Sequence, residues 1–121
     1  MLLLSLVVQG DNTDAVVYGS CGVKFMVLLL PLQNTKMLLV AHIFGTRFPL
    51  DTVLEVARSH SLVVVEDCAQ AFVGSQYTGD DRADVSMFSF GTIKTATSFG
   101  GALIRVKNPV VLNEMRRRER R

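Results

Sequence analysis

The residue best placed to do covalent chemistry is a single amine. Lys94 lies in G-T-I-K-T-A-T-S-F-G (91–100), among small and hydroxyl side chains, and no acid occurs within nine residues on either side. A lysine on an uncharged site loses its proton more readily, and the free amine is a nucleophile suited to Schiff-base formation. The plainer alternative is an exposed loop lysine with no chemistry at all. A second group follows four aliphatic residues: Leu62–Val65 runs into Glu66-Asp67-Cys68-Ala69-Gln70. In open α/β sheets, ligands bind outside the carboxyl ends of the strands, so two acids and a glutamine at such an end form a candidate site. Each also has a structural reading. Asp67 could cap a helix, Cys68 suits small buried filler, and Gln70 could cap or face water. Glu66 or Asp67 on a ribose would define a nucleotide-binding module, but the chain has no G-x-G-x-x-G.

The elements that would hold these groups are legible from residue 33 onward. Lys36–Ala41 is a nearly continuous apolar run, the pattern of a parallel strand buried on both faces. Pro49–Ser61 has helical spacing, with Leu50, Val53, Leu54 and Ala57 on one face. Asp51 stands near its start and Arg58 and His60 near its end, as the helix dipole favours. Leu62–Val65 is the next strand, so strand, helix and strand make a right-handed βαβ unit. Residues 71–84 read as a loop with Gly74, Gly79 and three aspartates. Val85–Phe90 is a strand with imperfect alternation, and Ala102–Val106 returns after Gly100-Gly101, antiparallel because the connection is short. Asn108-Pro109 has the form of an N-cap followed by proline at the first helical position, which predicts a helix over 110–121. Residues 1–32 are less legible: Leu2–Val8, Ala15–Tyr18 and Val23–Leu30 read as short strands, with turns at 10–14 and 19–22.

Composition limits the alternatives. A chain of 121 residues, 49% hydrophobic and 20% charged, allows one ordinary soluble domain or a piece of one. The formal net charge of +2 is too small to argue for nucleic acid. Five of the thirteen basic residues are in the last six positions, where Leu112 and Met115 opposite the arginines suggest a solvated helix end. Cys21 and Cys68 form no metal-binding spacing with His42 or His60, so no metal is expected. A reduced, cytoplasmic chain is the expectation. The apolar stretches at 1–8 and 27–30 are too short to span a membrane.

Taken together, V-A-H-I-F-G (40–45), V-V-E-D-C-A-Q-A (64–71), M-F-S-F-G-T-I-K (87–94) and G-G-A-L (100–103) resemble the DegT/DnrJ/StrS family of pyridoxal-phosphate-dependent sugar aminotransferases. The order and spacing agree, and each motif falls at an expected strand end. The resemblance covers about 33–118. It implies an α/β fold, part of the large domain of the fold type I (aspartate aminotransferase-like) transferases, here a βαβ unit with an antiparallel strand pair. It also implies residue roles. Lys94 would carry pyridoxal phosphate and move the proton. Asp67 would pair with the pyridine nitrogen, Gln70 would lie against the ring or its phenolic oxygen, and Ser89 would bind the phosphate. His42 and Gly45 would shape the site, although His42 could equally be a core histidine satisfied by backbone. The substrates implied are a keto-sugar nucleotide and an amino donor, usually glutamate, and the assembly a homodimer.

Two departures shape the functional expectation. Residues 1–32 do not match what the family places before this segment, and the Gly19-Ser20 pair with Tyr18 is not supported as its phosphate-binding turn. The small C-terminal domain of the family has no counterpart after residue 121. The expectation is therefore an unmatched segment over 1–32 and a partial cofactor-binding domain over 33–121, with little or no activity alone. The alternative is a non-catalytic remnant that no longer holds the cofactor.

Overall fold

The structure, a computed structural model, describes residues 35–121 apart from 44 and 95, together with the backbone of 6–10 and 13–20. It is built on a six-stranded sheet whose strands lie in sequence order. These are β1 (Leu6–Gly10), β2 (Thr13–Ser20), β3 (Thr35–His42), β4 (Val63–Asp67), β5 (Val85–Ser89) and β6 (Ala102–Val106). The outer pairs β1/β2 and β5/β6 are antiparallel, and β2 to β5 run parallel. Helix α1 (Asp51–Ser59) joins β3 to β4, and α2 (Pro109–Glu119) follows β6. The βαβ unit and the antiparallel return of the last strand are thus as the residue patterns predicted. In the N-terminal part, Gly10 pairs with Thr13, so strand pairing reaches into the segment 10–14 that was expected to be a turn. The expected strand over Val23–Leu30 lies outside the described residues.

The core lies on one face of the sheet. Leu38, Val40 and Val64 pack against Leu50, Val53, Leu54 and Ala57, with Ala83 closing one end. The alternate positions, Met37, Leu39, Val63 and Val65, are only half-buried. This corrects the expectation that the apolar run over 36–41 is covered on both faces. Strands that step along a sheet in one direction through right-handed connections place those connections on the same side. Among the described residues, α1 supplies the helical cover, and it covers one side only. Helix α1 carries Asp51 in its first turn and Arg58 in its last, as expected. Leu50 occupies the N-cap with no side-chain cap, and Asp51 pairs with Arg82 at 2.7 Å.

Asp84 ties three elements together where β5 begins. Its Oδ2 accepts from the Val64 amide at 2.8 Å, its Oδ1 from Asn108 Nδ2 at 2.8 Å, and its carbonyl from the Lys107 amide. Asn108 in turn caps α2, its Oδ1 accepting from the amides of Val110 and Val111 with Pro109 at the first helical position. That cap is the one the sequence predicted. Helix α2 is the solvated helix end that the sequence suggested: none of its residues is fully buried, Leu112 is half-buried and Met115 is exposed. The cap therefore carries much of the helix's stability. Asn108→Ala should lower the thermal stability by about 1 kcal/mol, with most of the loss in α2 helicity as read by circular dichroism and local hydrogen exchange.

Candidate functional site

Parallel strands end on one edge, so β3, β4 and β5 deliver their last residues to the same place. His42, Asp67 and Ser89 are the carboxyl-terminal residues of these three strands. Asp67 is register partner to Ala41 on one side and Met87 on the other. The strand ends are held by main-chain bonds, Gly45 N–H to Gln70 O at 3.0 Å and Cys68 N–H to Met87 O at 2.8 Å. Gly45 takes φ +72 here, a left-handed conformation that glycine adopts at little cost. The edge is thus a set of turns clasped to one another.

Alternation along β4 sends its two acids to opposite faces, and they have different fates. Asp67 is half-buried, and its Oδ1 accepts from the Ala69 amide at 2.9 Å. That bond caps a turn, so the helix-cap alternative is not realised. Gln70 is exposed in the same turn. Glu66, by contrast, is fully buried. Its Oε1 accepts from His42 Nε2 at 2.8 Å and from the Tyr77 hydroxyl. Its Oε2 accepts from the Asp80 amide at 2.8 Å and from Ser86 Oγ at 2.9 Å. Burial opposes the charge on this carboxyl, but the four donors outweigh it and hold the group down to about 2. His42 has its other ring nitrogen filled as well, since Nδ1 accepts from the Phe48 amide at 2.9 Å. This pattern selects the neutral tautomer with the proton on Nε2. His42 is buried with both ring nitrogens bonded, one to the Phe48 amide and one to the Glu66 carboxylate.

Cys68 is buried as the filler reading expected, beside Ala71 and Phe88. Burial and the neighbouring Glu66 charge push its thiol well above the usual range. Potential ligand atoms of His42, Glu66 and Cys68 lie within 4.8 Å of one another. The His42–Glu66 pair is already hydrogen-bonded, and the Cys68 thiol is held protonated. The sequence reading missed Tyr77, Ser86 and the Asp80 amide as partners of Glu66. One signal pointed to them: an acid flanked by aliphatics on a buried strand needs several donors, and the facing strand and following loop are where they can arise.

Lys94 sits in the loop from Gly91 to Gly101, which closes on itself. Phe90 N–H bonds Gly101 O at 3.0 Å, Ser98 N–H bonds Phe90 O at 3.2 Å, and Lys94 N–H bonds Gly91 O at 2.9 Å. Thr97 Oγ1 donates to the Lys94 carbonyl at 2.8 Å. The hydroxyl-rich composition around the lysine therefore folds the loop. Lys94 is half-buried, and no ion pair to its ammonium occurs among the described residues. Ser89, at the foot of the loop, pairs with Ala102 across β5/β6 and is half-buried. Ile93 and Phe99, on either side of the lysine, are almost wholly exposed at 91% and 101%.

Fold and strand-end motifs together define a class, the aminotransferases built on a partly parallel α/β sheet. Comparison with known proteins narrows it. The model of the DegT/DnrJ/EryC1/StrS aminotransferase family matches residues 32–119, and the chain belongs to that family. It is 38% identical over 75 residues to the GDP-perosamine synthase of Escherichia coli, covering 60% of this chain and 20% of that protein. It is 34% identical over 109 residues to the GDP-perosamine synthase of Caulobacter vibrioides, covering 88% of this chain and 28% of that one. Among solved structures, DesI, crystallised in the presence of its TDP-sugar product, superposes with a TM-score of 0.56 at 26% identity, over 72% of this chain and 22% of that one. The chain thus spans between 20% and 28% of the length of these relatives. Among the described residues, no helix is long and apolar enough to cross a membrane.

Proposed function

We propose that this chain carries the cofactor-holding part of a pyridoxal-phosphate-dependent aminotransferase acting on a keto-sugar nucleotide, with glutamate as the expected amino donor. One observation carries the reading. Asp67, Ser89 and the loop bearing Lys94 stand at the same sheet edge, and the amine has no carboxylate partner among the described residues. The donor set suits the cofactor. Asp67 has one oxygen occupied by the Ala69 amide and the other available for a cationic ring nitrogen. The Ser89 hydroxyl at the start of the glycine-rich loop suits a phosphate oxygen, and Gln70 suits a ring face or phenolic oxygen. Bound there, pyridoxal phosphate would supply an electron sink for the substrate carbon. Lys94 would hold the cofactor covalently and carry the proton at its Nζ. His42 plays no part in proton transfer in this reading, because both of its ring nitrogens are committed to Phe48 and Glu66.

The names of the relatives, GDP-perosamine synthase and the TDP-sugar-bound DesI, support a nucleotide-linked sugar as the substrate class. We further infer a cytoplasmic protein whose intact relatives work as homodimers, and a chain that alone has little or no turnover. The exposed Ile93 and Phe99 beside the lysine support that last point, since a working pocket needs its apolar walls covered.

The test is a visible absorption spectrum of the purified chain with added pyridoxal phosphate, before and after borohydride, followed by peptide mapping. A reducible band with the pyridoxyl label on Lys94 is expected. Labels scattered equally over Lys24, Lys36 and Lys107 would instead identify a remnant that no longer holds the cofactor.

A further inference from the structure

Glu66 is the most heavily bonded side chain of the site, yet the proposed chemistry does not use it. Its carboxylate gathers one partner from each structure around it: His42 from the end of β3, Ser86 from β5, and Tyr77 and Asp80 from the 71–84 loop. The loop backbone lies directly on this junction. A Cβ built on Gly79, which takes φ +91, would fall 2.1 Å from Ser86 Oγ and 2.8 Å from Glu66 Oε2. Arg47, from the turn after β3, lies over the Tyr77 ring at 4.6 Å from its centroid. Both turns that border the sheet edge therefore converge on one buried carboxylate, and the next residue in the chain is Asp67.

We propose that Glu66 is a positioning residue for the site. Through His42, Ser86, Tyr77 and Asp80 it ties the end of β3, the start of β5 and the 71–84 loop to the end of β4, and so sets the place of Asp67 and of the turn that holds it. The role rests on the function proposed above, but its test does not require the cofactor. Tyr77 is the part of the clasp that can be removed most gently. Tyr77→Phe deletes one hydroxyl and keeps the ring under Arg47. Glu66→Gln keeps the volume but has one acceptor oxygen where the carboxylate had two. Its NH2 then meets donors, either Tyr77 and His42 or Ser86 and the Asp80 amide. His42 could relieve the first conflict only by moving its proton to Nδ1, where the Phe48 amide already points.

Three readouts on the full chain without cofactor decide the proposal. The first is the pair of His42 ring-nitrogen chemical shifts, which report the tautomer. The second is the carboxyl-carbon shift of Asp67. The third is hydrogen exchange of the Ala69 amide, which bonds Asp67, measured against Val65 in the middle of the same strand. The expected results for Tyr77→Phe are a melting temperature close to the parent, a displaced Asp67 shift, and Ala69 exchange faster by about tenfold with Val65 unchanged. Glu66→Gln should add a mixed His42 tautomer. Gly79→Ala, which crowds Ser86 and Glu66 and pushes the loop off the junction without deleting a hydrogen-bonding group, should reproduce the Asp67 and Ala69 effects. Unchanged Asp67 and Ala69 signals in Tyr77→Phe and Gly79→Ala would overturn the proposal. So would losses at Ala69 and Val65 in equal measure, because these mark a purely structural role. A failure of Lys94 labelling in the parent chain would count against the proposed function and would leave these readouts decisive for Glu66.

Discussion

Glu66→Ala should destabilise the chain by about 3–5 kcal/mol, enough to unfold a small domain of ordinary stability. The truncation leaves His42 Nε2, the Tyr77 and Ser86 hydroxyls and the Asp80 amide facing a space with no acceptor, where four charge-assisted bonds had been. Each of those bonds contributes more than a neutral one, and each abandoned donor costs its desolvation. The same carboxylate predicts a pH dependence. Its folded-state value of about 2 lies below the ordinary 4.5. The stability it contributes is therefore fully present above pH 4.5 and is lost as the pH falls from 4.5 toward 2. Integrated over that window the contribution is roughly 3 kcal/mol. Urea titrations of the parent between pH 7 and pH 2 should show the loss setting in below pH 4.5. In Glu66→Gln the slope over the same window should be shallower. A parent and variant with parallel pH curves would show that the carboxylate is not held as described.

Lys94→Arg should remove the borohydride-trapped pyridoxyl label from position 94 and reduce the reducible absorbance band by about tenfold or more. Arginine keeps the positive charge and the length, so any attraction for the cofactor phosphate survives. Its guanidinium stays protonated and cannot condense with an aldehyde. The folded state should be little affected, because the loop is held by main-chain bonds and by Thr97 Oγ1 on the Lys94 carbonyl, none of which involves the amine. Circular dichroism with the same melting temperature, together with loss of the label, is the outcome that supports the assignment. A persistent band with the label moved to Lys36 or Lys107 would mean that Lys94 is an ordinary loop lysine.

The elements from residue 33 onward were legible because each announces itself locally. The apolar run at 36–41, the 3.6-residue spacing at 50–57, and the Asn108-Pro109 pair are statements about neighbours in the chain, and β3, α1 and the α2 cap follow them closely. The candidate site was partly legible for the same reason, since Asp67 and Ser89 end β4 and β5 and Lys94 lies in the loop that follows β5. Other features depend on what the chain brings alongside. The half-covered second face of the sheet could not be read from Val63 or Val65, whose aliphatic nature is the same whether or not a helix lies over them.

By itself, then, the sequence determined the order and type of the described elements, the family and the strand-end residues, since short-range periodicity, turn chemistry and motif spacing are properties of consecutive residues. The tertiary structure decided the fate of the two adjacent acids. Glu66 and Asp67 differ by one methylene and one position, and nothing local distinguishes a buried hub from a half-buried strand-end acid. The alternation of β4 points one toward the covered face and the other away from it. The four donors that make burial of the first tolerable come from residues eleven to twenty-four positions away in the chain. Long-range pairing of that kind is set by sheet register and loop path, which exist only once the chain has folded.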